Sequence, residues 1–328
     1  MSLTHELVGD DSGRPAGSTG TGGLRTDVVA TVRVPATSAN LGPGFDSLGL
    51  ALGIHDVVRL RVAPSGIEVT VRGEGADEVP LTEKHLVARA VRAGLEHAGV
   101  AQPGLRLSCH NRVPHGRGLG SSAAAVVAGL IAARGVLAEP ELLDDATVLA
   151  LATQFEGHPD NAAAALFGGC TISWYAADGR PRAERVDVRA DLAPVVCVPA
   201  GELSTHAARA MLPAVVPHAD AAFNAGRAAL LVQALSRRPD LLFEATEDRL
   251  HQAQRASAMP ETAELIRRVR EFGGAAVVSG AGPSVLVLGA GETAYNAVTS
   301  AVAGSGEQWT VLRPGIDTVG SLLATDGE

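Results

Sequence analysis

The sequence predicts an α+β fold built from two domains. The chain has 328 residues, a length that suits two domains of ordinary size. Hydrophobic residues make up 46% of the chain but aromatic residues only 3%, so the cores must consist mainly of Val, Leu and Ala. The first part is rich in strand patterns and the second alternates strands with helices, which favours α+β layers over a regular βαβ repeat.

Hydrophobic patterning places most of the elements. Residues 58–62 and 67–71 alternate apolar and polar side chains on either side of a Pro-Ser-Gly turn, which predicts a β-hairpin with one buried face. Residues 122–134 are apolar almost all round, which predicts a buried helix. Further strands are predicted at 28–34, 105–109, 170–174, 195–198, 275–278, 285–288 and 309–312, and further helices at 85–97, 146–155, 219–235, 241–255 and 261–272.

Composition divides the chain into three parts. The first residues are polar and glycine-rich and lack the apolar core of a signal peptide, which predicts a disordered tail. A stretch rich in Gly, Arg, Pro and Asp at 178–182 indicates a boundary. We therefore expect a tail at 1–27, an N-terminal domain at 28–178 and a C-terminal domain at 179–320.

Charge and cysteine usage narrow the classes of function. A net charge of −9 argues against nucleic-acid binding, which needs a basic face. Cys109, Cys170 and Cys197 are widely spaced, so we expect buried free thiols, no zinc site and a reducing, cytoplasmic location. Uninterrupted apolar runs of membrane-spanning length are absent, so no membrane span is expected.

The run PHGRGLGSSAAA at 114–125 carries the main functional signal. Its three glycines allow the backbone to turn close to a ligand with N–H groups pointing inward, and the helix start that follows adds further N–H groups. The run matches neither a Walker A loop, which needs a lysine, nor the spacing of a dinucleotide-binding fingerprint. It predicts a phosphate loop of another lineage, with a tight strand-to-helix turn as the simpler alternative.

Three motifs together carry a family resemblance: PATSANLGPGFDSLGLAL at 35–52, PHGRGLGSSAAA at 114–125 and SGAGPS at 279–284. This set resembles the GHMP kinase superfamily of small-molecule kinases. EGHPDNAAAALFGG at 156–169 and STHAAR at 204–209 narrow the resemblance to the homoserine kinase family of actinobacterial type. It implies a two-domain GHMP kinase fold, with an N-terminal half like domain 2 of ribosomal protein S5 and a ferredoxin-like C-terminal half.

The resemblance implies ATP and Mg²⁺ as cofactors. Ser122 and Glu156 would hold Mg²⁺ through hard oxygen ligands. In other homoserine kinases this glutamate lies several residues further upstream of the histidine, whereas here Glu156 precedes His158 by two. The third motif, with Gly280 and Gly282, would support the phosphate loop from behind. The residues expected to bind ATP are Pro114, Gly116, Arg117, Gly118, Leu119, Gly120, Ser121 and Ser122.

The implied substrate is L-homoserine, which carries a carboxylate, an ammonium and a hydroxyl. Arginine binds carboxylates bidentately, and Arg209 and Arg255 match the family's two positions, with Arg249 as a competitor for the second. Asp46 would bind the ammonium, or act as a base as in some sister kinases. Expected catalytic residues are Asn161, Asp46 and Arg209, and expected substrate-binding residues are Asn40, Asp46, His158, Asp160, Asn161, Thr205, Arg209 and Arg255.

The resemblance implies a kinase that phosphorylates homoserine in threonine biosynthesis and acts as a homodimer. Two alternatives stay open at this stage. One is a sister kinase for mevalonate or a sugar, and the other is an ATP-binding sensor without catalysis. An ammonium-binding aspartate beside two carboxylate-binding arginines distinguishes the amino-acid substrate from the sugar.

Overall fold

Two β-sheets organise the chain. The computed structural model describes residues 23–303 and 307–327. The strands are β1 (Val28–Ala39), β2 (Leu48–Ala63), β3 (Ile67–Gly73), β4 (Gly104–Asn111), β5 (Cys170–Tyr175), β6 (Pro181–Val186), β7 (Val195–Pro199), β8 (Ala275–Val278), β9 (Val285–Leu288), β10 (Trp309–Leu312) and β11 (Leu322–Gly327). The helices are α1 (Leu86–His97), α2 (Ser121–Val136), α3 (Asp145–Glu156), α4 (Asp160–Phe167), α5 (Thr205–Ala210), α6 (His218–Ser236), α7 (Leu242–Ala245), α8 (Gln252–Arg255), α9 (Pro260–Glu271) and α10 (Thr293–Val302).

The first sheet has the strand order β11-β1-β2-β4-β3, and β5 with β6 extends it from one end of β2. Alternate residues of β1, from Val28 to Val34, point into the core and are buried. The helix α2 covers this face and is itself buried nearly all round, because small alanines let it approach the sheet closely. The apolar run after the glycine loop is therefore a central helix, as its pattern predicts.

The hairpin predicted at 58–71 is wrong. The strand β4 lies between β2 and β3, and β3 runs parallel to β4, with Val69 opposite Leu107. The turn after β2 instead contacts the start of β4, where the Leu105 N–H donates to the Gly66 carbonyl oxygen. Alternation identifies the buried face of a strand, but it does not identify the neighbouring strand.

The second sheet has the antiparallel order β10-β7-β9-β8. In chain order, α6 to α9 lie between β7 and β8, and α10 lies between β9 and β10. The pattern is therefore β-α-β-β-α-β, the ferredoxin-like arrangement. One face packs on α9 and α10, with Leu265 and Val298 in its core. The other face shares a core with the glycine loop and the end of β1, through Leu119 and Ala36. A continuous core therefore fixes the two sheets against each other.

The helix predicted at 241–255 is broken. Helix α7 ends at Ala245, and α8 begins only at Gln252. The carboxylate of Asp248 accepts hydrogen bonds from the N–H groups of Leu250 and His251 at 2.9 and 3.0 Å, and also from that of Gln252. This capping starts a new short helix, which sets the position of Arg255.

The chain crosses between the two sheets twice. The predicted boundary between 178 and 179 falls inside the β5–β6 hairpin, where Tyr175 pairs with Pro181, so β6 still belongs to the first sheet. After β10 the chain returns, and β11 pairs with β1. Of the predicted tail, residues 1–22 lie outside the described residues. No helix in the described ranges combines the length and the apolar character that a membrane crossing requires.

A buried carboxylate fastens the returning segment. Oδ2 of Asp317 accepts a hydrogen bond from Nε2 of His55 on β2 at 2.6 Å. Its Oδ1 accepts from the N–H groups of Val319 and Gly320 at 2.8 and 2.7 Å. Burial acts to raise the pKa of Asp317, but the His55 and backbone hydrogen bonds outweigh it and lower that pKa.

Candidate active site

The glycine-rich loop connects β4 to α2 and packs tightly against the third motif. Gly118 has a φ of +71°, and a Cβ on it would lie 2.2 Å from the carbonyl oxygen of Ser279. The Ser279 hydroxyl donates to the Gly118 carbonyl oxygen at 2.8 Å. Glycine alone fits such a close approach. The third motif therefore supports the loop from behind.

The loop leads directly into a helix N-terminus. Gly120 precedes the first residue of α2, Ser121, and the helix is 16 residues long. The first N–H groups of such a helix have no intrahelical partner and carry the positive end of its dipole. Helix N-termini of this kind are suited to binding anions such as phosphate.

A cavity of about 180 Å³ opens in front of the loop. It lies where the two domains meet, and most of the predicted site residues line it. Its lining residues are Asn40, Asp46, Gly116, Gly118, Gly120, Ser121, Ser122, Glu156, His158, Asp160, Asn161, Leu203, Ser204, Thr205, Arg209, Arg255, Gly280 and Ala281.

Three residues predicted to bind ATP do not line this cavity: Pro114, Arg117 and Leu119. The Arg117 guanidinium turns toward the end of β7, where it donates to the carbonyl oxygens of Pro199 and Ala200 at 3.1 and 2.9 Å. Leu119 is buried in the core shared by the domains. The side chains of Arg117 and Leu119 anchor the loop and do not line the cavity.

An ion pair joins the two sides of the cavity. Nη1 and Nη2 of Arg209 donate to Oδ2 and Oδ1 of Asp46 at 2.9 and 2.7 Å. Asp46 has a φ of +53°, and its N–H donates to Oδ1 of Asn40 at 2.9 Å. Nδ2 of Asn40 donates to the Gly280 carbonyl oxygen at 2.8 Å. Asn40 thus holds Asp46 in a sparsely populated backbone conformation, which is typical of functional sites.

Arg255 is a buried cation with no carboxylate partner among the described residues. It is 2% exposed, and its guanidinium donates to Nδ1 of His251 at 3.2 Å and to the Ala208 carbonyl oxygen at 3.3 Å. Burial and the charge of Arg209 lower the pKa of Arg255. A buried charge without a counter-ion favours a bound anion. Arg249, its competitor, does not line the cavity.

Three polar residues reach the cavity at the start of α4. Nδ1 of His158 donates to Oδ1 of Asp160, and the N–H of Asn161 donates to the same oxygen at 2.7 Å. Burial opposes the charged form of His158, but the hydrogen bond and the charge of Asp160 raise its pKa. Asp160 therefore orients both His158 and Asn161.

Thr205 lines the cavity from the first turn of α5.

Ser122 and Glu156 meet at the edge of the cavity. Oγ of Ser122 donates to Oε1 of Glu156 at 2.6 Å, so the glutamate reaches the loop although only one residue separates it from His158. Burial raises the pKa of Glu156, and the Ser122 hydrogen bond only partly counters it. A second set of candidate metal-ligand atoms, all within 4.8 Å of one another, comes from Asp46, His158 and Asp160. The guanidinium of Arg209 lies beside this set.

A second cavity, of about 260 Å³, lies beside the same helix N-terminus and shares Ser121 and Ser122 with the first. Nδ1 of His85, a residue 5% exposed, has no hydrogen-bond partner in the described parts of the chain. Only one side of this cavity comes from the 114–125 motif; the other walls come from separate elements without a motif, so the cavity could not be predicted from the sequence. Its other lining residues are Val34, Asp56, Val58, Val79, Pro80, Lys84, Leu86, Val87, Asn111, His115, Ala124, Ala125 and Ala128.

Known proteins match both halves of the chain. The family model for the GHMP kinases N terminal domain matches residues 85–169, and the model for the GHMP kinases C terminal domain matches residues 222–307. A homoserine kinase from Streptomyces coelicolor is 54% identical over 293 residues, 89% of this chain and 93% of that protein. This chain belongs to the homoserine kinase family.

Other members of the homoserine kinase family agree with this result. The homoserine kinase from Clavibacter michiganensis is 53% identical over 303 residues, 92% of this chain and 95% of that protein. The crystal structure of the homoserine kinase from Cytophaga hutchinsonii superimposes with a TM-score of 0.77 at 24% identity, covering 95% of this chain and 100% of that one. The resemblance to this family and the two-domain GHMP kinase fold, both predicted from the sequence, are confirmed.

Proposed function

We propose that this protein transfers the γ-phosphoryl group of ATP to the hydroxyl of L-homoserine, giving O-phospho-L-homoserine and ADP, a step of threonine biosynthesis. One observation carries the proposal: a single cavity combines the phosphate-binding loop with Asp46 and two arginines. The two charge signs match the two ends of an amino acid. The 54% identity to a homoserine kinase supports the same substrate.

The phosphates of ATP lie on the glycine loop and at the N-terminus of α2 in this proposal. The adenosine moiety enters the second cavity, which is largely apolar and adjoins the loop through Ser121 and Ser122. The unpartnered ring nitrogen of His85 offers a hydrogen bond to the base. Nucleotide and amino acid therefore approach the helix N-terminus from different sides.

Ser122 and Glu156 would hold Mg²⁺. A hydroxyl and a carboxylate whose oxygens lie 2.6 Å apart suit this ion, which usually takes one or two protein oxygens and completes its shell with phosphate and water. When bound, Mg²⁺ neutralises phosphate charge. The raised pKa of Glu156 means that protons compete with the metal for this carboxylate more than for an exposed one.

The amino acid is recognised by charge. Arg255 and Arg209 bind its carboxylate, and Asp46 binds its ammonium. Because both donors of Arg209 contact Asp46, the substrate carboxylate must displace Asp46 from this arginine while the ammonium takes its place. A zwitterion satisfies both partners at once, which favours an amino acid over a molecule with one charge.

Asn161 binds the acceptor hydroxyl beside the loop. The hydroxyl oxygen forms a bond to the γ-phosphorus while the bond to the bridging oxygen breaks, and ADP keeps that electron pair. The hydroxyl proton passes to a γ-phosphoryl oxygen, so no protein base is assigned. Phosphoryl transfer depends mainly on positioning and charge stabilisation, which the arginines and His158, held by its hydrogen bond to Asp160, supply.

The two alternative functions make different use of the same residues. A sugar has neither charge, so it has no group that would displace Asp46 from Arg209. Mevalonate has a carboxylate but no ammonium, so displacing Asp46 would leave the Asp46 carboxylate without a partner. A sensor would bind ATP without releasing ADP. Coupled ADP-release assays with L-homoserine, mevalonate and galactose distinguish the three functions. Turnover of another alcohol without turnover of L-homoserine would refute the proposal.

A matched pair of arginine variants tests the carboxylate site. Arg255→Met should raise KM for homoserine about ten-fold or more, since a hydrogen-bonded charge pair is lost, while KM for ATP changes little. Arg249→Met is the control, because this side chain pairs with Asp220 at 3.2 Å outside the cavity. Equal effects of both variants would remove Arg255 from the site.

Location and assembly complete the proposal. We propose a cytoplasmic enzyme, since Cys109, Cys170 and Cys197 are free and buried and burial raises the pKa of each thiol to about 12. Such thiols are inert and have no structural need of oxidation. The homodimer stays a prediction that sedimentation analysis tests.

A further inference from the structure

Thr37 is a fully buried polar residue near the start of the first motif, with an exposed fraction of 0%. Its hydroxyl Oγ1 donates to Oδ1 of Asn161 at 2.8 Å, across 124 residues of sequence. Its backbone N–H donates to the carbonyl oxygen of Leu119 at 3.0 Å. One residue of β1 thus contacts both the phosphate loop and the start of α4.

The contact between these segments is tight. A Cβ on Gly120, the last loop residue, would lie 1.9 Å from Oγ1 of Thr37 and 3.0 Å from Oδ1 of Asn161. The absent side chain at Gly120 lets the hydroxyl and the amide meet directly under the loop. Threonine also suits this position because its branched side chain is stiff about χ1.

The hydrogen bond fixes which end of the Asn161 amide is available. Oδ1 accepts from Thr37, so Nδ2 is the atom left for substrate, apart from a long 3.4 Å contact with Asp160. An amide N–H can donate to the acceptor hydroxyl oxygen, but it cannot take the hydroxyl proton. The backbone bond to Leu119 ties the same residue to the phosphate cradle.

We propose that Thr37 is a positioning residue for phosphoryl transfer. It holds the Asn161 amide in the donating orientation and sets its distance from the phosphate loop. The acceptor oxygen is thereby placed for attack on the γ-phosphorus. The inference rests on the proposed function, because it assigns Asn161 to the acceptor hydroxyl. Small errors in such a distance cost rate rather than affinity.

Two substitutions separate the hydroxyl from the shape of the side chain. Thr37→Val keeps the volume and removes the donor, and we expect kcat to fall about ten- to hundred-fold with little change in KM for ATP. Thr37→Ser keeps the donor and should retain most of the wild-type kcat. Thr246→Val, which removes another buried hydroxyl whose bonds lie within and beside α7, is the control and should leave kcat unchanged.

A double-mutant cycle tests whether Thr37 acts through Asn161. In an Asn161→Ala background, Thr37→Val should change kcat by less than about two-fold, since the positioned amide is gone. Equal losses in both backgrounds, or a wild-type kcat in Thr37→Val, would overturn the inference. Thermal unfolding of each variant confirms its fold. If the wild-type enzyme prefers another alcohol, the homoserine proposal fails. The same cycle run with that alcohol then still tests the role of Thr37.

Discussion

Replacing Asp46 by Asn should change the affinity for two related ligands in opposite directions. L-homoserine has both charges, whereas 4-hydroxybutanoate has the same carboxylate and hydroxyl but no ammonium. Asparagine accepts the left-handed backbone of this position, where φ is +53°, at least as readily as aspartate does. The substitution therefore removes a charge without distorting the loop.

The magnitudes follow from the ion pair with Arg209. Its side chains are 42% and 34% exposed, so solvent screens the pair and a bidentate geometry contributes about 1 kcal/mol. A charge-assisted hydrogen bond to the substrate ammonium contributes about 1.5–3 kcal/mol. With homoserine, Asp46→Asn removes the hydrogen bond to the substrate ammonium, but it also removes the Asp46–Arg209 ion pair that the substrate must break. The net result is a KM increase of about two- to thirty-fold. 4-Hydroxybutanoate has no ammonium contact to lose, so removal of the ion pair alone should raise its affinity about five-fold.

The measurements are the KM for L-homoserine from coupled ADP release and the Ki of 4-hydroxybutanoate as a competitive inhibitor. Asp240→Asn serves as the control, because Asp240 pairs with Arg238 outside both cavities. Equal weakening of both ligands by Asp46→Asn would refute the reasoning. In that case Asp46 would support the site rather than select the ammonium.

Three further predictions concern the metal, the loop and the returning segment. Glu156→Gln should weaken the Mg²⁺ response of kcat by at least about ten-fold, and an unchanged Mg²⁺ titration would exclude this carboxylate as a ligand. Gly118→Ala should destabilise the fold by about 1–3 kcal/mol because its Cβ meets backbone on the third motif, whereas Gly226→Ala, with open space around it, should not; chemical denaturation of both compares them. Asp317→Asn should cost about 1–3 kcal/mol at pH 7. Since the pKa of Asp317 is lowered by folding, this difference should persist above the ordinary aspartate pKa and disappear as the pH falls through the folded value, as measured by denaturation between pH 7 and pH 2.

Local patterns predict the local parts of this molecule. The glycine loop and α2 are contiguous in sequence, and their chemistry follows from residue types at fixed spacing, so both could be predicted. The cavity residues Arg209 and Arg255 could be found only through the family resemblance. One local signal could have distinguished Arg255 from Arg249: Asp248 is a residue type that starts helices, and its carboxylate caps the chain at the break between α7 and α8 that separates the two arginines.

Contacts between distant segments could not be predicted. The Asp46–Arg209 pair joins residues 163 positions apart, and the order of β2, β4 and β3 depends on packing rather than on alternation. The second cavity, with His85 in its wall, could not be predicted because only one side of it lies in the 114–125 motif and apolar residues from several other elements form the rest. Thr37 lies within a predicted motif, but its role becomes visible only when Asn161 is placed beside it.

The pairing of β11 with β1 has a consequence for how the protein folds during synthesis. Val28 lies opposite Gly327, so the outermost strand of the first sheet is translated only after the whole ferredoxin-like half has been made. The N-terminal half emerges from the ribosome with one edge of its sheet uncovered, and contacts of such long sequence separation form slowly. The first sheet is therefore completed only after the second half has been synthesised. A shortened N-terminal fragment should be prone to associate through the uncovered edge of β1.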